Sequence, residues 1–244
     1  MGQLESQMQP RNIIKDIFNK TMKSDFCQRF ADCISHASQR TREYLVFKDP
    51  ENKFCVSSSL LKEIFLMTYI SRSVQLQLPE MVNCTIMTPK QEILMGTDWV
   101  WAVLDDSSKD PKVQIAVHVF HLAGEENVPS DQVVPMTEAV QMAKLEASDK
   151  TKQEKIITFC SSIGKDCYTL FMFFGTNSDP ANIYGVLSNN FHVAFGKGVD
   201  INKAFIENFL KRSEAYNSPA KMLQTILHKG SRQEETITMV VKFT

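Results

Sequence analysis

Apolar and polar positions alternate most cleanly over Gly96–Leu122. Trp99 and Trp101 lie two residues apart, the spacing that puts both on one face of a strand. Val113, Ile115, Val117 and Val119 repeat the spacing further on, with Gln114, Ala116 and His118 on the opposite face. Between the two arms, Asp105–Pro111 is polar and ends in proline, which is turn chemistry. The pattern predicts an antiparallel hairpin whose Trp-bearing face is buried against helices.

Elsewhere the period is helical. After Pro10, Ile13, Ile14, Ile17, Phe18 and Met22 form one stripe. Phe26, Phe30, Cys33, Ile34, Ala37, Tyr44 and Leu45 form a second, with Asp25 as its expected cap and Asp49-Pro50 as its end. Ser57–Ser59 offers caps for a third helix. Its residues Leu60, Leu61, Ile64, Phe65, Met67, Thr68 and Ile70 are apolar most of the way round, which predicts an enclosed central helix. Thr88-Pro89-Lys90-Gln91 reads as a capping box with proline at the first helical position, and Gly96 as the stop of that short helix. Lys152–Ile163 is helical and ends at Gly164. Tyr168–Phe174, Ile183–Leu187 and Phe191–Phe195 read as strands. Asp200 is the expected cap of a helix carrying Ile201, Ala204, Phe205, Asn208 and Phe209. Ser218-Pro219 opens another, with Met222, Leu223, Ile226 and Leu227, ending at Gly230. Thr236–Phe243 closes the chain as a strand.

The order gives an α+β fold. A helical N-terminal part packs on a mostly antiparallel sheet built around the Trp-bearing hairpin, with C-terminal helices and a closing strand. Residues 1–10 form a flexible tail, and 11–244 a single domain. Within it, a polar segment of about 124–151 is expected to be mobile, with a helix over Thr137–Glu146 that turns Val140 and Ala143 to one side.

Composition narrows the function classes. A formal net charge of −1 leaves no basic field for nucleic acid. No run of 18 apolar residues exists, and the N-terminus has no apolar signal core. The six cysteines, Cys27, Cys33, Cys55, Cys84, Cys160 and Cys167, are scattered through apolar segments and read as reduced, mostly buried thiols of a cytosolic chain.

Candidate chemistry is sparse. Cys160 or Cys167 with a histidine base would make a thiol nucleophile, but both sit in apolar surroundings that leave thiols inert. His118 and His121 are three apart on a strand and face opposite sides, so they do not converge on a metal. Gly196-Lys197-Gly198 lacks the closing residues of a phosphate loop. Asp105, Asp106 and Asp110 lack calcium-loop spacing. Met1-Gly2-Gln3-Leu4-Glu5-Ser6 fits the myristoylation pattern at Gly2. One such chain binds membranes only marginally, on the order of 10⁴ M⁻¹, so a second anchor is required. Aromatic residues without a catalytic set also fit an adaptor module.

Several blocks resemble the Rab-fifteen effector family. They are Met1-Gly2-Gln3 with Ser6, Glu43-Tyr44-Leu45 with Phe47, Glu63-Ile64-Phe65-Leu66, and Gly96 with Asp98, Trp99 and Trp101. The most specific runs from Phe159-Cys160 through Ile163-Gly164, Asp166-Cys167, Leu170-Phe171 and Phe174-Gly175 to Ile183 and Gly185-Val186. The likeness covers the chain from its start to about Val186 and thins over Gly124–Lys155 and after Ser188. It implies a non-enzymatic effector of a GTP-loaded Rab GTPase, of the Rab-fifteen or Rab-three kinds, acting in receptor recycling. It implies a cytoplasmic protein, peripheral on early or recycling endosomes. GTP and magnesium would belong to the partner, and the chain would carry no cofactor of its own.

The residues suggest one contact surface, the helix with Phe205, Ile206, Phe209 and Leu210 as apolar anchors and Lys211 and Arg212 as a polar rim. The competing reading buries both apolar sides between the sheet and the final helix. A second function class stays open at this point: a thiol-dependent enzyme or small-molecule binder using a cavity behind the Trp hairpin.

Overall fold

A computed structural model describes residues 10–51, 53–121, 137–147, 150–228 and 236–243, with side chains from Asp25 onward. The expected tail with Gly2, and most of the expected mobile segment, lie outside the described residues.

The described residues open with one long helix, α1 (Pro10–Leu45), where two stripes predict two helices. The reason is local: no glycine or proline occurs between Pro10 and Pro50. Asp25, the expected cap, lies inside the helix and pairs with Arg29 one turn on, at 2.9 Å. The chain reverses into α2 (Ser58–Gln75), capped by the Ser57 hydroxyl, which accepts from the Leu60 amide. A short 3-10 turn at Leu78–Glu80 leads to β1 (Val82–Ile86), a strand that the hydrophobic pattern missed. The Thr88 capping box starts α3 (Pro89–Met95) as expected. Gly96 stops it with φ +68°, where a Cβ would stand 2.1 Å from the Lys152 carbonyl oxygen.

The hairpin follows as β2 (Trp99–Leu104) and β3 (Pro111–His121), paired antiparallel with Trp99 opposite Val117 and Trp101 opposite Ile115. Its turn is organised by Asp105, whose carboxylate accepts from the Ser107 and Ser108 amides and the Ser107 hydroxyl. Those bonds, the Ser107 hydroxyl's first, hold its pKa at about 2, so this aspartate serves the turn. Then come α4 (Glu138–Glu146), α5 (Lys152–Ile163), β4 (Cys167–Phe174) and β5 (Ile183–Ser188). Helix α4 lies where Thr137–Glu146 was expected and buries Ala143.

Phe191–Phe195 is not a strand but a short helix, α6. The Asn190 side chain caps it by accepting from the Val193 amide. A strand would have put Phe191, Val193 and Phe195 on one face, yet Val193 is 61% exposed. Phe191 and Phe195 instead meet at helical spacing, ring centroids 5.7 Å apart. Helix α7 (Lys203–Arg212) is capped by Asn202 rather than by Asp200, which accepts from the Asn202 amide instead. Helix α8 (Pro219–His228) and strand β6 (Thr238–Lys242) end the described chain.

The six strands lie in sequence order, β1-β2-β3-β4-β5-β6, and every neighbouring pair is antiparallel except β3 and β4. A parallel pair needs a crossover, and α5 lies within it. The fold is α+β, as the element order predicted. Helices cover both faces. The Trp side is packed by Phe26, Phe30 and Ile34 of α1, Leu61, Phe65 and Tyr69 of α2, and Met222, Leu223 and Ile226 of α8. The other side is packed by Ile156 and Cys160 of α5, Phe191 of α6, and Ile206 and Leu210 of α7. Strand β4 is therefore buried along its whole length, and its sequence is continuously apolar rather than alternating.

Candidate functional site

The surface that best suits recognition is the outer side of the α1–α2 pair. These helices run antiparallel: Arg72 of α2 reaches Asp32 of α1 at 2.7 Å, while Arg29, earlier on α1, reaches the Leu76 carbonyl just past the end of α2. Their inner faces meet the tryptophans. Phe65 stacks on Trp99 with centroids 5.6 Å apart, Phe30 meets Trp101 edge-on at 5.5 Å, and Tyr69 tilts against Trp101 at 5.3 Å. These rings occupy the space behind the hairpin where a ligand cavity had been considered.

A buried charged group fixes α2 to the sheet. Asp98 lies just before β2, where the β2–β3 ladder ends. One of its carboxylate oxygens accepts from the Val119 amide of β3 at 2.7 Å, and the other from the Lys62 ammonium of α2 at 2.6 Å. The His118 Nδ1 stands 3.3 Å from the first of these oxygens. Burial alone would raise the Asp98 pKa. The hydrogen bond from His118 and the Lys62 charge outweigh it and hold the carboxyl well below the usual range. His118 and His121 do face opposite sides, and among the described residues no three metal-ligating side chains converge.

Helix α2 is not enclosed, as its composition had suggested. No element covers its outer side in the described structure. Met67 is 61%, Ile70 37% and Val74 62% exposed, one row at helical spacing that half-buried Leu60 and Ile64 extend. Beside the row, a groove of about 380 Å³ runs between the two helices, lined by His36, Arg40 and Glu43 of α1 and by Met67, Ser71 and Arg72 of α2. Arg40 is held in place by Glu43, by the Tyr44 hydroxyl at 2.9 Å, and over the Tyr44 ring at 5.1 Å. At the α1–α2 turn, Phe47 and Phe54 are exposed and meet edge-on at 6.1 Å. Asp49 holds that loop by accepting from the amides of Glu51, Lys53 and Phe54. An apolar row with a polar border and fixed aromatics is the composition of a protein-binding surface.

The helix favoured from the residues alone, α7, is placed differently. Ile206 and Leu210 point into the core at 1% and 2% exposure, so neither can meet a partner. Phe205 and Phe209 are half-buried, with Phe195 of α6 against both, at 5.2 and 4.8 Å. Lys211 pairs with Glu207 at 3.2 Å, and Arg212 is exposed. The covering element is α6 with the sheet, while the final helix lies on the opposite face.

A sequence profile of the Rab15 effector family matches residues 15–243. The chain belongs to the Rab15 effector family. The match continues through the C-terminal third, where the motif blocks had thinned. The chain is also 27% identical over 205 residues to the mouse (Mus musculus) Rab15 effector protein, an alignment covering 83% of this chain and 85% of the mouse one. In this member of the family, the Trp99 and Trp101 block is the floor of the α1–α2 layer. The Cys160–Cys167 block is the corner between α5 and β4, where both thiols are buried on the face of the sheet opposite the tryptophans. Among the described residues, no helix is long and apolar enough to cross a membrane.

Proposed function

We propose that this protein is a non-enzymatic effector that binds the GTP-loaded form of a Rab GTPase, of the Rab-fifteen or Rab-three kinds, through the outer side of α1 and α2. Membership of a family named for Rab15 supports the partner class. The observation that carries the surface is the uncovered row of Met67, Ile70 and Val74. Selectivity for the GTP form requires contact with switch loops that the γ-phosphate and its magnesium order. A rigid helical face suits that task, because little of its own freedom is lost on binding. The bound nucleotide and metal are the partner's, and the effector needs no cofactor.

The same proposal places the protein in the cytoplasm and, with its partner, on early or recycling endosomes, where it regulates receptor recycling. A Rab supplies one membrane anchor, and a myristoyl group at Gly2 supplies the second that a single acyl chain requires. A myristoyl mass adduct on the N-terminal peptide from eukaryotic cells is expected, and an unmodified Gly2 there removes the lipid from the account.

The deciding test is calorimetric titration against a panel of Rab proteins, each loaded with a non-hydrolysable GTP analogue and then with GDP. Micromolar or tighter binding confined to the GTP form is expected for one or more members. Equal affinity for both forms would rule out an effector.

A further inference from the structure

Besides the row on α2, a second group of large apolar side chains is left exposed on the α1–α2 layer. It lies in the loop that joins the two helices, where Val46 is 53%, Phe47 46% and Phe54 58% exposed. The two rings meet edge-on at 6.1 Å and stand together as one tip. The loop satisfies its own backbone. The Phe47 amide donates to the Tyr44 carbonyl at 3.2 Å, and the Phe54 amide to the Asp49 carboxylate at 2.9 Å. The same carboxylate accepts from the Glu51 and Lys53 amides at 3.0 and 2.7 Å. Pro50, next to it, has no amide hydrogen to place.

We propose that this loop docks on a phospholipid bilayer, setting Val46, Phe47 and Phe54 into its interfacial layer. A tip of three apolar side chains is far smaller than the roughly 20–30 residues a side of a stable protein interface. A bilayer has no fixed shape to match and accepts a small apolar projection wherever the two meet. Backbone amides without partners are what make entry into lipid costly, and both Phe residues carry theirs already bonded. Lys48 follows Phe47 and Lys53 precedes Phe54, and both lysines are exposed. Rings flanked by lysines are the composition of the membrane–water boundary, where the ring sits at headgroup level and the long stem reaches back to water.

Charge sets the depth and the kind of attraction. Within the loop Lys48 and Lys53 balance Asp49 and Glu51, and Lys53 pairs with Glu51. The loop therefore has no net positive field for anionic headgroups, and the contact rests on the rings. The carboxylate of Asp49 stays at headgroup level, which limits entry to the side chains at the tip. The docking is shallow and reversible, and it does not depend on whether the α2 row takes a Rab.

The test uses the full chain made in bacteria, where Gly2 carries no myristoyl group, and no Rab is present. The protein should float with vesicles of phosphatidylcholine and phosphatidylserine. Phe47→Asp with Phe54→Asp should cut the bound fraction by more than about fivefold with Tm unchanged. Raising salt from about 0.1 M to about 0.5 M should alter binding of the parent chain by less than about twofold, because the loop's charges already cancel. A polarity-sensitive fluorophore on Cys55, the exposed one of the six cysteines, should shift to the blue when vesicles are added. A parent chain that does not float would overturn the proposal. So would flotation that survives the double substitution, that is lost in salt, or that leaves the fluorophore unchanged. A double variant that loses the parent's binding to GTP-loaded Rab in solution would assign the tip to a protein partner and overturn it as well. Flotation is read without a Rab, so a failed Rab titration and a failed loop are told apart.

Discussion

Helices α2 and α7 carry the same kind of apolar surplus, more than one core face needs, and the structure treats them oppositely. On α7 the surplus is taken up: Ile206 and Leu210 fill the core, and Phe195 lies against Phe205 and Phe209. On α2 the inner face is equally committed, through Phe65 and Tyr69 against the tryptophans, yet Met67, Ile70 and Val74 stay exposed. Apolar surplus alone therefore does not mark an interface. It becomes one only where no neighbour arrives to cover it.

The largest test of this contrast is on the buried sides. Phe65→Ala should cost roughly 3–5 kcal/mol of stability, because it removes a fully enclosed ring and leaves Trp99, Trp101 and Phe174 around a void. Denaturant unfolding measures this, and a loss under about 1 kcal/mol would show that the α2 layer is loosely packed.

On the outer sides, a paired substitution separates binding from folding. Met67→Asp with Val74→Asp should weaken binding to the GTP-loaded Rab by more than about tenfold, with little change in Tm. Phe205→Asp with Phe209→Asp should do the reverse, lowering Tm while the folded fraction binds normally. Exchange of the two outcomes would return the docking surface to α7.

A smaller effect concerns the tie that holds α2. The folded-state pKa of Asp98 is lowered, so its contribution is present above the ordinary aspartate value of 3.8 and is lost as pH falls below it. Glu92 on α3, raised by burial, contributes in the opposite sense over the acid range, so the two must be separated by mutation. Asp98→Asn should flatten the fall in stability between about pH 5 and pH 2. An unchanged acid limb would remove Asp98 from the account.

The smallest effect is expected at the rim. Arg212→Ala on the exposed end of α7 should change stability by no more than about 0.5 kcal/mol and leave Rab affinity unaltered.

What the sequence determined by itself is what short-range chemistry controls. The period of two over the hairpin set both Trp residues on one face. Thr88 with Gln91 announced a capping box, and Gly96 and Gly164 stopped their helices where expected. The order of elements gave the fold class, and unusual blocks around Trp99 and Cys160 pointed to the family. These signals are legible because each depends on residues a few positions apart.

Most of the misreadings lie where distance along the chain matters or two local patterns compete. Strand β1 is short, lies at the sheet edge and buries only Val82, so it leaves little alternation to see. Phe191–Phe195 fits both periods, and only the Asn190 cap and the packing of Phe191 against Phe171 select the helix. Whether Met67 or Ile206 faces solvent is not written in either helix. It depends on which distant segment reaches that face, and burial is a property of pairs of elements rather than of one. Only tertiary structure could decide that α7 is covered and that α2 is open.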